Sequence, residues 1–491
     1  MLFNSFSFGF FLVITYLLYW LIFNRNIKVR NLFILAASYF FYGFWNWKLL
    51  ILIVIVSATD FISGYLIDKQ YITTPPCQSS SGDSNQIRRG KGYLWLCLII
   101  NLGILGFFKY CNFFIDSFYS LLHLFGSTAS FTPLKIILPV GISFYTFQGL
   151  SYVLDIYYRK LQSTKDVVAF FAFLSFFPQL IAGPIERAKD LLPQFSTPKK
   201  FDYDNTRKGL FLIAVGLFKK IVIADRLAIY VDSVYGNVAN VHGLPALMAV
   251  LFFAFQLYLD FSAYSQIAVG TARIFGFKLT TNFNKPYLAT SFKDFWARWH
   301  ITLTNWFRDY LYFPLGGNRK GRIRTYINVI IVFTVSGLWH GASWNFVIWG
   351  FLNGIFLAVF DKAFHLNPHN VIAKVGSCLF VVGMWTLSLI FFRAQSFADA
   401  LTMFGNIGFG NLADLYAYGF DAVEFKFTLC LLAGLMLIEL LLKNRQDKVE
   451  EFFFNRLSLF RWIVYLVIIL STIYLGVYGM GSDNTFIYFQ F

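Results

Sequence analysis

Apolar stretches close to the ~20 residues that cross a bilayer core recur from one end of the chain to the other. The clearest are Phe8 to Phe23, Leu49 to Ile67, Leu94 to Phe108, Leu247 to Leu259, Val371 to Phe392, Phe427 to Leu442 and Trp462 to Val477. A backbone in hydrocarbon has no water to bond, so an unbroken apolar run must close its hydrogen bonds internally, as an α-helix does. The expectation is an all-α polytopic membrane protein, one membrane domain over residues 1–491. By length alone roughly eleven or more spans are expected, some too short or interrupted to cross cleanly. Composition agrees: 57% of residues are hydrophobic and 13% charged, against about 25% charged in an ordinary globular domain. The 62 Phe, 28 Tyr and 12 Trp predict wide interfacial belts and bulky packing around cavities.

A formal charge of +16 raises the question of nucleic acid, but the basic residues fall in short loops beside apolar runs, where the positive-inside rule accounts for them. No nucleic-acid partner is expected; the bilayer is the partner. Arg25, Lys28 and Arg30 after the first span, and Lys69, Arg88, Arg89 and Lys91 after the third, are read as cytoplasmic. That orientation puts the N-terminus outside. The first span lacks a small-residue cleavage site and is read as a retained helix. Five cysteines (Cys77, Cys97, Cys111, Cys378, Cys430) without C-x-x-C spacing predict neither a disulfide framework nor a metal site.

Between the spans, residues 69–92 have loop composition and are read as a cytoplasmic loop, and residues 186–208 as a cytoplasmic connection with short surface helices. Pro178 to Arg187 sets two prolines and a glycine directly after an apolar run, a pattern tolerated at membrane depth only where it packs in protein or lines a cavity. A re-entrant element is expected there. Residues 282–325 are too polar to span yet rich in aromatic side chains, and are read as an interfacial or re-entrant segment. No fixed-period repeat is visible.

Six histidines occur: His123, His242, His300, His340, His365 and His369. Four of them, His123, His242, His365 and His369, lie near span ends or in loops and are read as solvated or interfacial. His340 is different, because it sits in a 334–350 stretch, read as a helix, that is otherwise apolar enough for lipid. Imidazole reaches both protonation states near neutral pH, so a buried one can take up and return a proton, and polar groups at that depth are functional by default. Gly337 and Gly341 would allow close backbone approach; Ser336, Ser343 and Asn345 could orient the ring or polarise a carbonyl. His300, on a presumed amphipathic helix from Asp294 to Asp309, reads equally as an interfacial or a functional residue. Arg298 and Arg308 beside it could meet an anionic group. Asp260, a carboxylate inside an apolar span, must be paired, hydrated or protonated.

Seven ordered motifs carry a resemblance. They are Leu138 to Gln148 (LPVGISFYTFQ), Phe176 to Arg187 (FFPQLIAGPIER), Tyr258 to Ser265 (YLDFSAYS), Asn282 to Tyr287 (NFNKPY), Phe295 to His300 (FWARWH), Tyr312 to Asn318 (YFPLGGN) and Leu338 to Asn345 (LWHGASWN). Together with the closing Phe486 to Phe491, they resemble the membrane-bound O-acyltransferase family over nearly the whole chain. Within it they are most similar to the bacterial alginate O-acetyltransferase membrane subunit.

The resemblance implies a ring of tilted helices around a thin core, with funnels from both faces, in the bacterial inner membrane. It also implies transfer of an acyl group, usually acetyl, from a cytoplasmic thioester towards an extracytoplasmic polysaccharide. Carried over, His340 matches the signature histidine and His300 the second active-site position. Arg298, Arg308, Trp339, Asn345 and Asp260 are expected to bind or orient the donor, an acetyl-CoA or acyl carrier protein thioester. No bound cofactor or metal is implied; a separate extracytoplasmic acyltransferase is the expected partner. The rivals are D-alanyl transfer to teichoic acid, a proton-coupled transporter or flippase, and a scaffold for another transferase.

Overall fold

A computed structural model of the chain describes residues 1–72, 90–128, 131–361, 370–443, 451–478 and 486–487. His365, His369, Cys77, most of the 69–92 loop and the last four residues of the closing motif lie outside the described residues. The described residues are mostly helical, with no β-strand among them; Gly243 and Ile407 make one isolated bridge. The all-α membrane architecture expected from the sequence is therefore observed.

Five helical stretches among the described residues are long and apolar enough to cross a bilayer: Ile27–Tyr71, Lys91–Leu124, Leu244–Ile274, Val371–Arg393 and Ser458–Leu475. Two shorter apolar helices are Phe6–Leu21 and Trp344–Phe360. Ile27–Tyr71 holds two helices in succession, and other helices are short, as Val167–Leu174 is, or carry charges, as Ala422–Leu441 does. The last of the five stretches buries none of its residues in protein, the exposure suited to a helix whose solvent is lipid.

The chain divides into two compact units. One comprises residues 1–209 with 271–280, the other residues 210–270 with 281–491. The first unit contains α1 (Phe6–Leu21), α2 (Ile27–Asn46), α3 (Leu50–Ile72), α4 (Lys91–Leu105), α5 (Cys111–Leu124), α6 (Ile142–Tyr157), α7 (Val167–Leu174) and α8 (Ala188–Ser196). Helix α6 buries nearly every residue, polar ones included, which is why an amphipathic stripe is absent from its sequence. The Asp60 carboxylate is buried here and accepts from the Cys97 thiol at 3.2 Å and Asn101 Nδ2 at 2.8 Å.

After α7 the chain leaves the helical state, and Phe176 to Ile185 are buried without exception. Non-helical backbone is tolerated in such a protein only when other protein surrounds it, and that is its setting. Glu186 closes the stretch: Thr280 donates its backbone N–H to Oε1 at 2.5 Å and its hydroxyl to Oε2 at 2.9 Å. Burial nevertheless pushes this carboxyl up from 4.5 to about 7. The folded protein then keeps a proton that the unfolded chain has lost, so stability should fall as pH rises from 4.5 through about 7. Glu186→Gln removes that dependence and keeps both bonds, since its amide can donate to the Thr280 hydroxyl. Glu186→Leu orphans the Thr280 N–H, at a cost of about 1–3 kcal/mol. Thermal midpoints of the detergent-solubilised protein across this pH range check both outcomes.

The second unit holds most of α11 (Leu244–Ile274), with α9 (Tyr203–Phe218) divided between the units and α10 (Asp225–Tyr235) wholly in the second. It continues through α12 (Phe292–Trp296), α13 (Ile301–Phe307), α14 (Arg322–His340), α15 (Trp344–Ile355) and α16 (Val371–Arg393). Its core is aromatic: Trp299, Trp349 and Trp385 are each about 1% exposed.

Candidate active site

Helix α14 starts after Gly321, whose φ of +87° suits glycine, and ends at His340. Gly341 is extended, and α15 begins three residues later. The stretch 334–350, expected as one helix, is thus a hairpin of two helices broken directly after the histidine. Close packing of the arms explains the glycines. A Cβ on Gly337 would lie 2.2 Å from the Phe346 carbonyl oxygen and 3.0 Å from Gly350 Cα, and one on Gly350 would lie 2.3 Å from the Phe333 carbonyl oxygen. With the backbones this close, Trp349 of α15 lies edge-on to His340, ring centroids 5.1 Å apart at 90°. Phe392 of α16 lies 5.6 Å away and Trp339 5.0 Å. His340 is 5% exposed.

His300 is not on a continuous amphipathic helix. It stands between α12 and α13 with φ 41° and ψ 54°, a left-handed conformation uncommon for a side chain with a Cβ. Lys285, in the same segment, is also left-handed at φ 48°. Such strain persists only where surrounding structure enforces it, and it clusters at functional sites. Two backbone bonds enforce it here: Ile301 N–H donates to the Asn282 carbonyl and Asn284 N–H to the Arg298 carbonyl, both at 2.9 Å.

Most of the surrounding aromatics pack within the protein. Phe292, Phe295, Trp296, Trp299, Trp306 and Phe307 are buried, and Trp299 packs on Trp385 at 4.8 Å between centroids. In this segment the apolar rings stabilise the site's wall by packing inward.

The fold brings the two histidines together, 40 residues apart in sequence, with ring centroids at 6.5 Å and planes at 64°. His300 is 1% exposed, and burial pushes its imidazole down to about 3, so it is neutral at physiological pH. Trp339 lies 6.1 Å from His300 as well as beside His340. The other expected site residues are engaged elsewhere. Asn345 donates to the Ala394 carbonyl at 3.0 Å. Arg298 donates to Asp294 at 2.7 Å, and Arg308, half exposed, to Asp309 at 2.9 Å. Asp260 binds Lys220 Nζ at 2.5 Å and accepts from the Ile487 N–H at 2.7 Å. Residues not singled out from sequence include Trp349, Phe392 and Asn282, the last of which lay unassigned within one of the quoted motifs.

Two buried imidazoles with ring centroids 6.5 Å apart among aromatic side chains, one of them neutral, suit proton handling during group transfer where water is scarce. Among the described residues no group of three metal-binding side chains exists. Such a centre in a multi-pass helical membrane protein is compatible with group transfer.

The model of the membrane-bound O-acyltransferase family matches residues 158–398. The peptidoglycan O-acetyltransferase of Helicobacter pylori is 34% identical over 545 residues, covering 100% of this chain and 98% of that protein. The protein of Pseudomonas putida described as "Probable alginate O-acetylase AlgI" is 38% identical over 77% of this chain and 74% of its own. The teichoic acid D-alanyltransferase of Bacillus subtilis is 28% identical over 47% of this chain and 60% of its own. The chain belongs to the membrane-bound O-acyltransferase family and is an acyltransferase.

Proposed function

We propose that this enzyme moves an acetyl group from a cytoplasmic thioester, acetyl-CoA or an acetylated carrier protein, towards hydroxyls of an extracytoplasmic polysaccharide. It acts in the bacterial inner membrane with its N-terminus outside, together with a separate extracytoplasmic acyltransferase. The observation that carries the reading is the pair of buried histidines, His300 and His340, 6.5 Å apart. Full-length similarity to a peptidoglycan O-acetyltransferase favours a sugar hydroxyl as final acceptor. D-alanyl transfer is the weaker reading, since the likeness to a D-alanyltransferase is lower and covers less than half of the chain.

In the proposed chemistry an acceptor hydroxyl attacks the thioester carbonyl. The new C–O bond forms, the C–S bond breaks, and His340 takes the hydroxyl proton and returns it to the departing thiolate. His300, 6.5 Å from His340, would contact the reacting groups. Arg298 and Arg308 would attract the donor's phosphates, their carboxylate partners exchanging for the ligand. The test is purified enzyme in nanodiscs with acetyl-CoA or acetyl carrier protein labelled in the acetyl group, supplied with a polysaccharide fragment. Label reaching the fragment or an added transferase partner supports the reading and identifies the donor. Intact donor in both arms, with folded protein and partner present, would overturn it.

A further inference from the structure

Asn282 is buried, and its side-chain amide contacts His300 and two of its neighbours. Its Oδ1 accepts the backbone N–H of Thr302 at 3.2 Å and the Thr302 hydroxyl at 3.0 Å, while its Nδ2 donates to Ser265 Oγ at 3.3 Å. A backbone N–H can only donate, so the atom facing it must be the amide oxygen. That settles which way round the amide lies. The same oxygen lies 3.2 Å from His300 Nδ1. Two lone pairs would repel at this distance; the contact holds only if Nδ1 carries the hydrogen. In neutral imidazole the proton on one nitrogen dictates a lone pair on the other.

We infer that Asn282 is a positioning residue that holds His300 in the Nδ1–H tautomer, so that Nε2 meets the substrate as a hydrogen-bond acceptor. This rests on the acyltransfer reading above and refines it. His300 would then receive a hydroxyl or amide hydrogen from acceptor or donor, and would not supply a hydrogen to the oxyanion. Asn282 also holds the His300 backbone, through the Ile301 N–H on its carbonyl. One residue thus contacts the ring nitrogen and also makes one of the two backbone bonds that hold the left-handed conformation. The low proton affinity of the buried ring fits a group kept neutral in the resting enzyme.

The test has two arms. In the first, the wild-type protein is labelled with nitrogen-15 histidine. Its spectrum contains six histidines, and the His300 pair is identified by its disappearance in His300→Gln. The expected spectrum has a protonated Nδ1 and a bare Nε2 for His300. A protonated Nε2 would overturn the inference, whether or not any acyl donor is turned over.

In the second arm, Asn282→Leu and Asn282→Asp are compared in the acetyl-transfer assay. The leucine variant should lose the tautomer preference and fall in kcat by about 10²-fold, as misplaced groups do in group transfer, with KM little changed. The aspartate variant should keep the tautomer, since a carboxylate also accepts from Nδ1–H. It should retain most activity at neutral pH and move the acidic limb of its pH profile upward, because the nearby negative charge favours imidazolium. An unchanged tautomer and kcat in the leucine variant would sink the inference, as would an aspartate variant no better than leucine.

Discussion

His340→Ala protein, inserted and folded normally, is expected to transfer acetyl groups about 10²- to 10⁴-fold more slowly than wild type, the contribution of a positioned acid–base group. The expectation follows from position. His340 ends α14 at the hairpin break, packed by Trp339, Trp349 and Phe392 and facing His300. Alanine would also empty space among these rings, so His340→Gln is the sharper variant, filling the site without a nitrogen that takes up protons near neutral pH. Transfer of labelled acetyl per minute, normalised to folded protein, reads both. A glutamine variant working at the wild-type rate would remove His340 as the base. A loss confined to KM would make it a binding residue.

The second large effect concerns stability. Lys220 is about 2% exposed, and its ammonium lies 2.5 Å from Asp260 and 2.8 Å from Asp225, both carboxylates also buried. Its cation further faces the Phe486 ring at 4.4 Å. Lys220→Met preserves the chain's bulk but leaves two carboxylates without their counterion. Removing one partner of a buried pair typically costs about 3–5 kcal/mol, because the remaining charge is stranded. A marked drop in thermal midpoint in detergent is expected. Adding Asp225→Asn and Asp260→Asn to Lys220→Met removes the stranded charges and should recover most of the loss. If the single variant melts with wild type, the cluster contributes no net stability. If the triple variant is no better than the single one, stranded charge is not the cause.

The same cluster shows the limit of reading residues in isolation. Asp260 stands out in sequence as a carboxylate in an apolar run, and the need for a partner follows from that alone. Lys220, 40 positions earlier, becomes that partner only when α11 and the π-turn beside α10 are brought together. His340 was legible because an imidazole in lipid-compatible sequence is conspicuous. His300 was half legible: its motif marked it, but helical spacing suggested a continuous amphipathic element where the chain breaks. The break is held by backbone bonds to Asn282 and Arg298, and spacing rules carry no information about such bonds.

The aromatic content of 282–325 points to an interfacial or re-entrant segment, because tryptophan favours that depth. The same rings also favour burial, and composition cannot choose between the two environments.

What the sequence by itself determined is the solvent and the class. Long apolar runs with few charges admit only membrane helices, and seven ordered motifs point to one acyltransferase family. The tertiary structure alone decided the site's geometry. Two histidines 40 residues apart converge to 6.5 Å, glycines at 337 and 350 let α14 and α15 pack backbone to backbone beside one of them, and an amide from a third segment contacts the other. Local pattern reports which solvent a residue prefers, whereas proximity between distant residues follows from packing.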